Sequence, residues 1–399
     1  MKRVLFVSYG GGHVRMLLPV ARLLRDRGWA EPVFLGLTTA RAEVEAAGFN
    51  CLAFADLVRS GDEAALAKGR ELASALASHA ISFDESVAYL GLSYADLVVD
   101  HGEARAAVLY GEKGRQAFLP LHTLERALAR VQPALVVATS APRAERAAIV
   151  AARRQGIPSV CLVDLFAAYE IEWLREPDFA DLVCVLNGRV RDRLVAAGRS
   201  PEEVIVTGNP AFDSLLDPQV RERGLAMRRA QGWDGKRVWL WASQVEPPRH
   251  VATGAVGDTQ LPARITRELR RITASTPDLQ SVIRPHPSDG DSRIEAGPRQ
   301  HLSTRGEPLH ELLHACDGVV VLTSTVGLEA RLAGCAVVQV TGSLYTADAP
   351  YLAYGIAHAA VPIEGLAAAI AQAPARRRDA GTAISPAAPR VAQALVRWL

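Results

Sequence analysis

Short apolar, β-branched runs alternate with stretches of helical spacing along almost the whole chain. Residues 2–9 (KRVLFVSY) form the first run, and 14–28 repeat apolar positions at Leu17, Leu18, Ala21 and Leu24 with Arg and Asp between them. A strand at 32–37 and a helix at 40–48, stopped by Gly48, come next. The pattern resumes with strands at 134–139, 159–164, 182–186 and 204–207 and helices at 144–156 and 190–198. Strands that alternate with helices in this way predict parallel βαβ units. Residues 56–131 interrupt the series. They read as a helical insertion, although ESVAYLGLSYADLVVD fits no single stripe.

A second series begins beyond GNPAFDSLLDP (208–218), which carries turn residues at both ends. Strands are predicted at 237–242, 281–284, 318–322 and 336–340, and helices at 263–274, 309–316, 327–333 and 365–372. An Ala/Arg/Pro segment at 375–388 reads as a loop with solvated charge, and 391–399 as a short helix. The fold expected is α/β, with two doubly wound Rossmann-like domains facing across a cleft. The first covers 1–209 with the insertion at about 56–131, and the second 210–384. A C-terminal helix at 385–399 is expected to pack back on the first domain. Open sheets of this kind bind ligands beyond the carboxyl ends of their strands.

Composition narrows the function classes. The 399 residues are 49% hydrophobic and 22% charged, which excludes global disorder. Forty-five Lys and Arg against 43 Asp and Glu leave a net charge of +2, which gives no electrostatic case for nucleic acid as a partner. No stretch of 18 apolar residues lacks charge, so no membrane span is expected. The opening lacks a small-residue cleavage site after its apolar run. The expected location is the cytoplasm, with peripheral contact at the inner membrane left open. The five cysteines form no CxxC pair and read as small buried hydrophobes rather than disulfides or metal ligands. No His/Glu or Cys/His metal signature stands out, so no metal site is expected. His310 and His314 share a helix face four residues apart, but Glu311 and the flanking leucines make an amphipathic surface helix the expected reading.

Five segments carry candidate chemistry. In Ser8-Tyr9-Gly10-Gly11-Gly12-His13, Gly11 and Gly12 open the backbone to a ligand at the start of a helix, and His13 can hold a proton near neutral pH. The dinucleotide spacing G-x-G-x-x-G is absent because Arg15 holds its last position. RPHP places Arg284, His286 and Pro287 after a strand, where they can meet a phosphate or base. In LTSTVGLEARLAG, Thr323, Ser324 and Thr325 set hydroxyls at a helix start suited to a diphosphate. Glu329, one turn on, can accept ribose hydroxyls. Asn209 lies at the crossing between halves. Among the first-half carboxylates Asp96, Asp100, Glu103, Asp164, Glu170 and Glu172, the catalytic candidates are Asp100 and Glu103, which flank His101 and Gly102, and the acceptor proton is expected to go to His13 or Asp100.

Taken in order, SYGGGHVRMLLPVARLL, VTGNPAFD, RPHP and LTSTVGLEARLAG resemble the GT-B glycosyltransferases and their sister group, the non-hydrolysing UDP-N-acetylglucosamine 2-epimerases. The opening resembles the peptidoglycan-type N-acetylglucosamine transferase. RPHP and STVGLEA resemble bacterial capsule and lipopolysaccharide transferases. The resemblance implies an acceptor-binding first half and a nucleotide-sugar-binding second half. It also implies metal-independent transfer without a cofactor, to a glycan or lipid-linked acceptor. His13 then matches the loop histidine. His286 and Pro287 match the nucleotide-binding pair, with Arg284 beside the leaving phosphate, and Ser324, Thr325 and Glu329 match the phosphate and ribose site. Two departures count against an epimerase: Gln244 stands where its His-Arg motif has histidine, and LVVATSAP lacks its strand-end aspartate. Gln244 becomes a donor-contact candidate.

Overall fold

The computed structural model describes residues 1–74, 81–250, 253–286, 296–304, 306–376 and 385–399. It divides into two compact units, Met1–Ala211 with Pro386–Leu399, and Phe212–Ser385.

The first unit is built on β1 (Arg3–Ser8), α1 (Gly12–Asp26), β2 (Glu31–Gly36), α2 (Ala40–Ala46) and β3 (Asn50–Leu52). The insertion folds as α3 (Glu63–Ser74), α4 (Phe83–His101), α5 (Glu103–Lys113) and α6 (Leu121–Val131). The sheet then continues with β4 (Leu135–Thr139), α7 (Ala144–Arg154), β5 (Ser159–Leu162), α8 (Ile171–Leu174), β6 (Leu182–Val185), α9 (Gly188–Ala196) and β7 (Val204–Val206). All neighbouring strands pair in parallel, in the order β3-β2-β1-β4-β5-β6-β7. The central strands read as unbroken apolar runs because both faces are covered. Val4, Phe6, Leu17, Leu24, Val137 and Val160 share one core with Val391 and Leu395 of the C-terminal helix Ala387–Leu395. The insertion has its own small core around Val87, Leu90, Leu97 and Phe118. The unassigned stretch is α4, which buries side chains on more than one face.

The second unit comprises α10 (Pro218–Ala230), β8 (Arg237–Ala242), α11 (Leu261–Ser275), β9 (Leu279–Arg284), β10 (Gln300–Leu302), α12 (Leu309–Ala315), β11 (Gly318–Val321), α13 (Val326–Leu332), β12 (Ala336–Val340), β13 (Ala359–Val361) and α14 (Leu366–Ala371). Its sheet order is β10-β9-β8-β11-β12-β13, again all parallel. Trp239, Trp241, Leu269, Ile283 and Val338 form its core. Five elements here and in the first unit went unread in the sequence: β3, α8, β10, β13 and α10. Four cysteines are buried and Cys51 is half-buried, all as free thiols. Among the described residues no helix is long and apolar enough to cross a membrane.

Candidate functional site

In both sheets the chain runs outward in one direction from the first strand and in the other from the fourth. That makes a crevice beyond the carboxyl ends of β1 and β4, and another beyond β8 and β11. Each crevice holds a polar cluster.

In the first unit, residues 9–11 carry the chain from β1 into α1. A Cβ on Gly10 would stand 1.9 Å from Thr39 Oγ1, so only bare backbone passes here. α1 starts with no side-chain cap and no acidic residue in its first turn, which leaves its first amides to an anion. His13 Nδ1 lies 2.8 Å from Oγ1 of Thr139, the last residue of β4. Thr139 Oγ1 lies 3.4 Å from Glu145 Oε1, which also accepts the Tyr9 N–H at 2.7 Å. Glu145 is fully buried, and burial pushes its carboxyl up to about 8. Asp164, in the loop after β5, is raised by burial, while the nearby His13 pulls it down. Burial likewise raises Glu170, which also feels Asp164 and His13. The Tyr9 hydroxyl lies 2.7 Å from that of Tyr89 and accepts from Arg143 Nε at 2.9 Å. Burial, then Tyr89, hold the Tyr9 phenol far above its ordinary range. Beside it a 210 Å³ cavity is lined by Leu37, Phe83, Tyr89, Arg115 and Arg143.

The other sequence candidates of this unit have the following places. Asp100 and Glu103 do not join His13. They sit where α4 gives way to α5, and Asp100 pairs with His122 at 3.4 Å. Tyr89 touches Tyr9, and eleven residues of helix set Asp100 about 16 Å further along α4. Asn209 is not open to a nucleotide. Its side chain is buried, donating to Asp164 O at 3.1 Å and accepting from Ala211 N at 2.9 Å. Asp96 holds the start of α6 by accepting the Thr123 N–H.

In the second unit Gln244, just beyond β8, clasps Thr323, just beyond β11. Its Oε1 accepts the Thr323 N–H at 2.9 Å and its Nε2 donates to Thr323 Oγ1 at 3.1 Å. Tyr351 donates its hydroxyl to the carbonyls of Ser324, at 2.7 Å, and Thr323. Glu329 is buried, with Oε2 2.7 Å from His310 Nε2 and Oε1 3.4 Å from the Thr325 hydroxyl. His310 Nδ1 in turn meets the Ser214 hydroxyl. Arg284 donates to Ser303 Oγ and Glu307 O. Burial pulls its pKa down, while Glu307 and Glu329 hold it up. His286 is half-buried just beyond β9, and Pro287 lies outside the described residues.

The helix start here offers less than its sequence promised. α13 has only seven residues, and the amides of Val326, Gly327, Leu328 and Glu329 are already bonded to Ser324 Oγ, Ser324 O and Thr325 O. The amides of Ser324 and Thr325 are left without a partner among the described residues. The histidine helix is also corrected. His314 is buried against Leu215 O, and His310 backs Glu329, so neither belongs to a surface face. Arg376 is no solvated charge, since it donates to the carbonyls of His314, Cys316 and Ala333. Thr139, Glu145 and His310 were not singled out for this chemistry by the sequence, because each acquires its place through a residue distant in the chain.

Residues 216–348 match the family model for Capsule polysaccharide biosynthesis protein, a span that contains Gln244, Arg284, Thr323, Ser324, Thr325 and Glu329. No curated protein sequence matches the chain. Among solved structures it is similar to the S. aureus MnaA–UDP co-structure, at 12% identity and a TM-score of 0.60, covering 100% of this chain and 97% of that one. The Neisseria meningitidis UDP-GlcNAc 2-epimerase bound to UDP-GlcNAc is similar at 13% identity and TM-score 0.59, covering 99% and 100%. The glycosyltransferase SnogD from Streptomyces nogalater follows at 16% identity and TM-score 0.51, covering 100% and 99%. With its two Rossmann-like units, the chain has the GT-B fold that such epimerases and glycosyltransferases share.

Proposed function

We propose that the chain is a glycosyltransferase that moves a sugar from a nucleotide-sugar donor to a carbohydrate or lipid-linked acceptor, in the synthesis of a bacterial surface glycan at the cytoplasmic side. The observation that carries this reading is the cluster beyond β8 and β11, which lies inside the span matched by the capsule polysaccharide family. A buried carboxylate one turn into α13 suits paired ribose hydroxyls, because its two oxygens retain lone pairs beyond those given to His310 and Thr325. The free amides of Ser324 and Thr325 and their hydroxyls suit the diphosphate, with Arg284 nearby. No metal or cofactor is assigned. In the first unit, Gly11 and Gly12 at the uncapped start of α1 suit an anionic group of the substrate. His13 suits removal of the acceptor proton, help typically worth about 10²–10⁴-fold.

Thermal shift with UDP, CMP, CDP, GDP and dTDP tests the reading. One nucleotide should raise the Tm of the wild type and fail to raise that of Glu329→Ala. The donor so identified then enters a transfer assay with and without glycan acceptors. Product formed without acceptor would replace transfer by epimerisation or hydrolysis of the donor. Binding with no turnover under any condition would make the protein a nucleotide-sugar sensor.

A further inference from the structure

We propose that Thr139 and Glu145 form a hydrogen-bonded relay that fixes His13 as the Nδ1–H tautomer, leaving the Nε2 lone pair to take a proton. The inference rests on the reading of His13 as the base and adds two positioning residues to it.

With Oε1 as the carbonyl oxygen of Glu145, the donors and acceptors line up in one direction. The Tyr9 N–H donates to Glu145 Oε1 at 2.7 Å, and an amide can only donate, so Oε1 is the accepting oxygen. It accepts whether the carboxyl is ionised or carries its proton on Oε2, which is buried with no partner among the described residues. Burial holds the carboxyl up to about 8, so it is largely protonated at neutral pH. The short bond from Tyr9 marks Oε1 as the carbonyl oxygen, because the hydroxyl oxygen of a neutral carboxyl is the poorer acceptor, and this puts the proton on Oε2. The Thr139 hydroxyl, 3.4 Å from Oε1, has one proton and spends it there. Towards His13, 2.8 Å away, Thr139 then has only a lone pair, and Nδ1 must supply the hydrogen. Nε2 has no partner among the described residues. Thr139 and Glu145 are fully buried, so water does not compete for either bond. The arrangement follows from strand order. β4 pairs directly with β1, which brings the end of one beside the loop that leaves the other, and Glu145 lies in the first turn of α7 behind both.

The test is ¹⁵N NMR of the full-length protein with labelled histidine at neutral pH and no substrate, with His13 assigned through His13→Gln. Wild type should show Nδ1 protonated and Nε2 bare. Thr139→Ser and Glu145→Gln keep the donor and the acceptor oxygen respectively, and should show the same tautomer. Thr139→Val keeps the shape and removes the hydroxyl, and should shift the tautomer ratio roughly tenfold towards Nε2–H, the worth of one good hydrogen bond. Nε2–H in the wild type overturns the relay, and so does an unchanged ratio in Thr139→Val. The wild-type spectrum alone decides the direction if that variant does not fold. Because the tautomer is read without substrate, a protein that shows Nδ1–H but transfers no sugar would refute the proposed function and leave the relay standing.

Discussion

Replacing Glu145 by Gln should make the stability difference between wild type and variant depend on pH in one direction. Glu145 is fully buried, and its carboxyl rises from an ordinary 4.5 to about 8 on folding. The folded state therefore keeps a proton that the unfolded chain releases. The stability this carboxyl contributes is complete below about pH 4.5 and is lost as pH rises through 8. Every tenfold weakening of the acid on folding is worth about 1.4 kcal/mol, so the whole change is about 5 kcal/mol. Glutamine keeps an oxygen to accept from Tyr9 and Thr139 and has no proton to lose. At pH 5.5 the variant should be the less stable, by roughly 1–3 kcal/mol, because its amide N–H₂ enters a site where Oε2 has no partner. Between pH 5.5 and 7.5 the wild type should lose about 3 kcal/mol relative to the variant, closing or reversing the gap. Urea unfolding of both proteins at the two pH values measures this, and titrations common to both cancel in the difference. A gap that stays constant with pH would refute a protonated Glu145.

The remaining predictions concern the second unit and the corrected residues. A nucleotide at about 100 times its Kd should stabilise wild type by about 2.7 kcal/mol and leave Glu329→Ala unshifted by calorimetry. His310→Ala removes the 2.7 Å partner of Glu329 and should weaken that nucleotide's binding by about tenfold in titration calorimetry. Unchanged affinity would show that Glu329 needs no backing. A Cβ at position 327 would stand 2.6 Å from the Tyr351 ring, whose hydroxyl holds the Thr323 and Ser324 carbonyls. Gly327→Ala should therefore lower both nucleotide affinity and Tm. Asn209→Ala should lower stability by about 1–3 kcal/mol and leave nucleotide affinity intact, since both ends of the side chain are bonded within the first unit.

Most of the strands that were legible are covered on both faces, such as LVVAT of β4 and GVVV of β11, where apolar residues run together. The missed strands are three of the four sheet edges: NCL, QHL and AAV are three residues long, only partly buried and not β-branched runs, whereas the fourth edge, VIV of β7, is one and was legible. Helix α10 buries only Val220 and Gly224 among its arginines and leaves no stripe. The candidate sites divide in the same way. Ser324, Thr325 and Glu329 lie close in the chain and could be found as one motif. His13, Thr139 and Glu145 span more than 130 positions, and only the strand order joins them. Asp100 stood beside His13 as an alternative base because it neighbours a histidine in sequence, whereas the histidine it meets in space is His122.

That strand order also explains why the two units carry different chemistry. In each, a nitrogen-bearing side chain just beyond the first strand reaches a threonine at or just beyond the end of the fourth: His13 to Thr139, and Gln244 to Thr323. The shared topology dictates the contact, because it sets those two strand ends side by side beneath the crevice. What lies behind the threonine differs. Thr139 leans on the buried carboxyl of Glu145, and its partner is a ring that can gain a proton. Thr323 is held by the Gln244 amide, which does not ionise, and by Tyr351, whose hydroxyl meets its carbonyl. The base proposed at His13 thus stands in the crevice whose threonine leans on a carboxyl, and the donor site proposed at Glu329 in the crevice whose threonine is clasped by an amide.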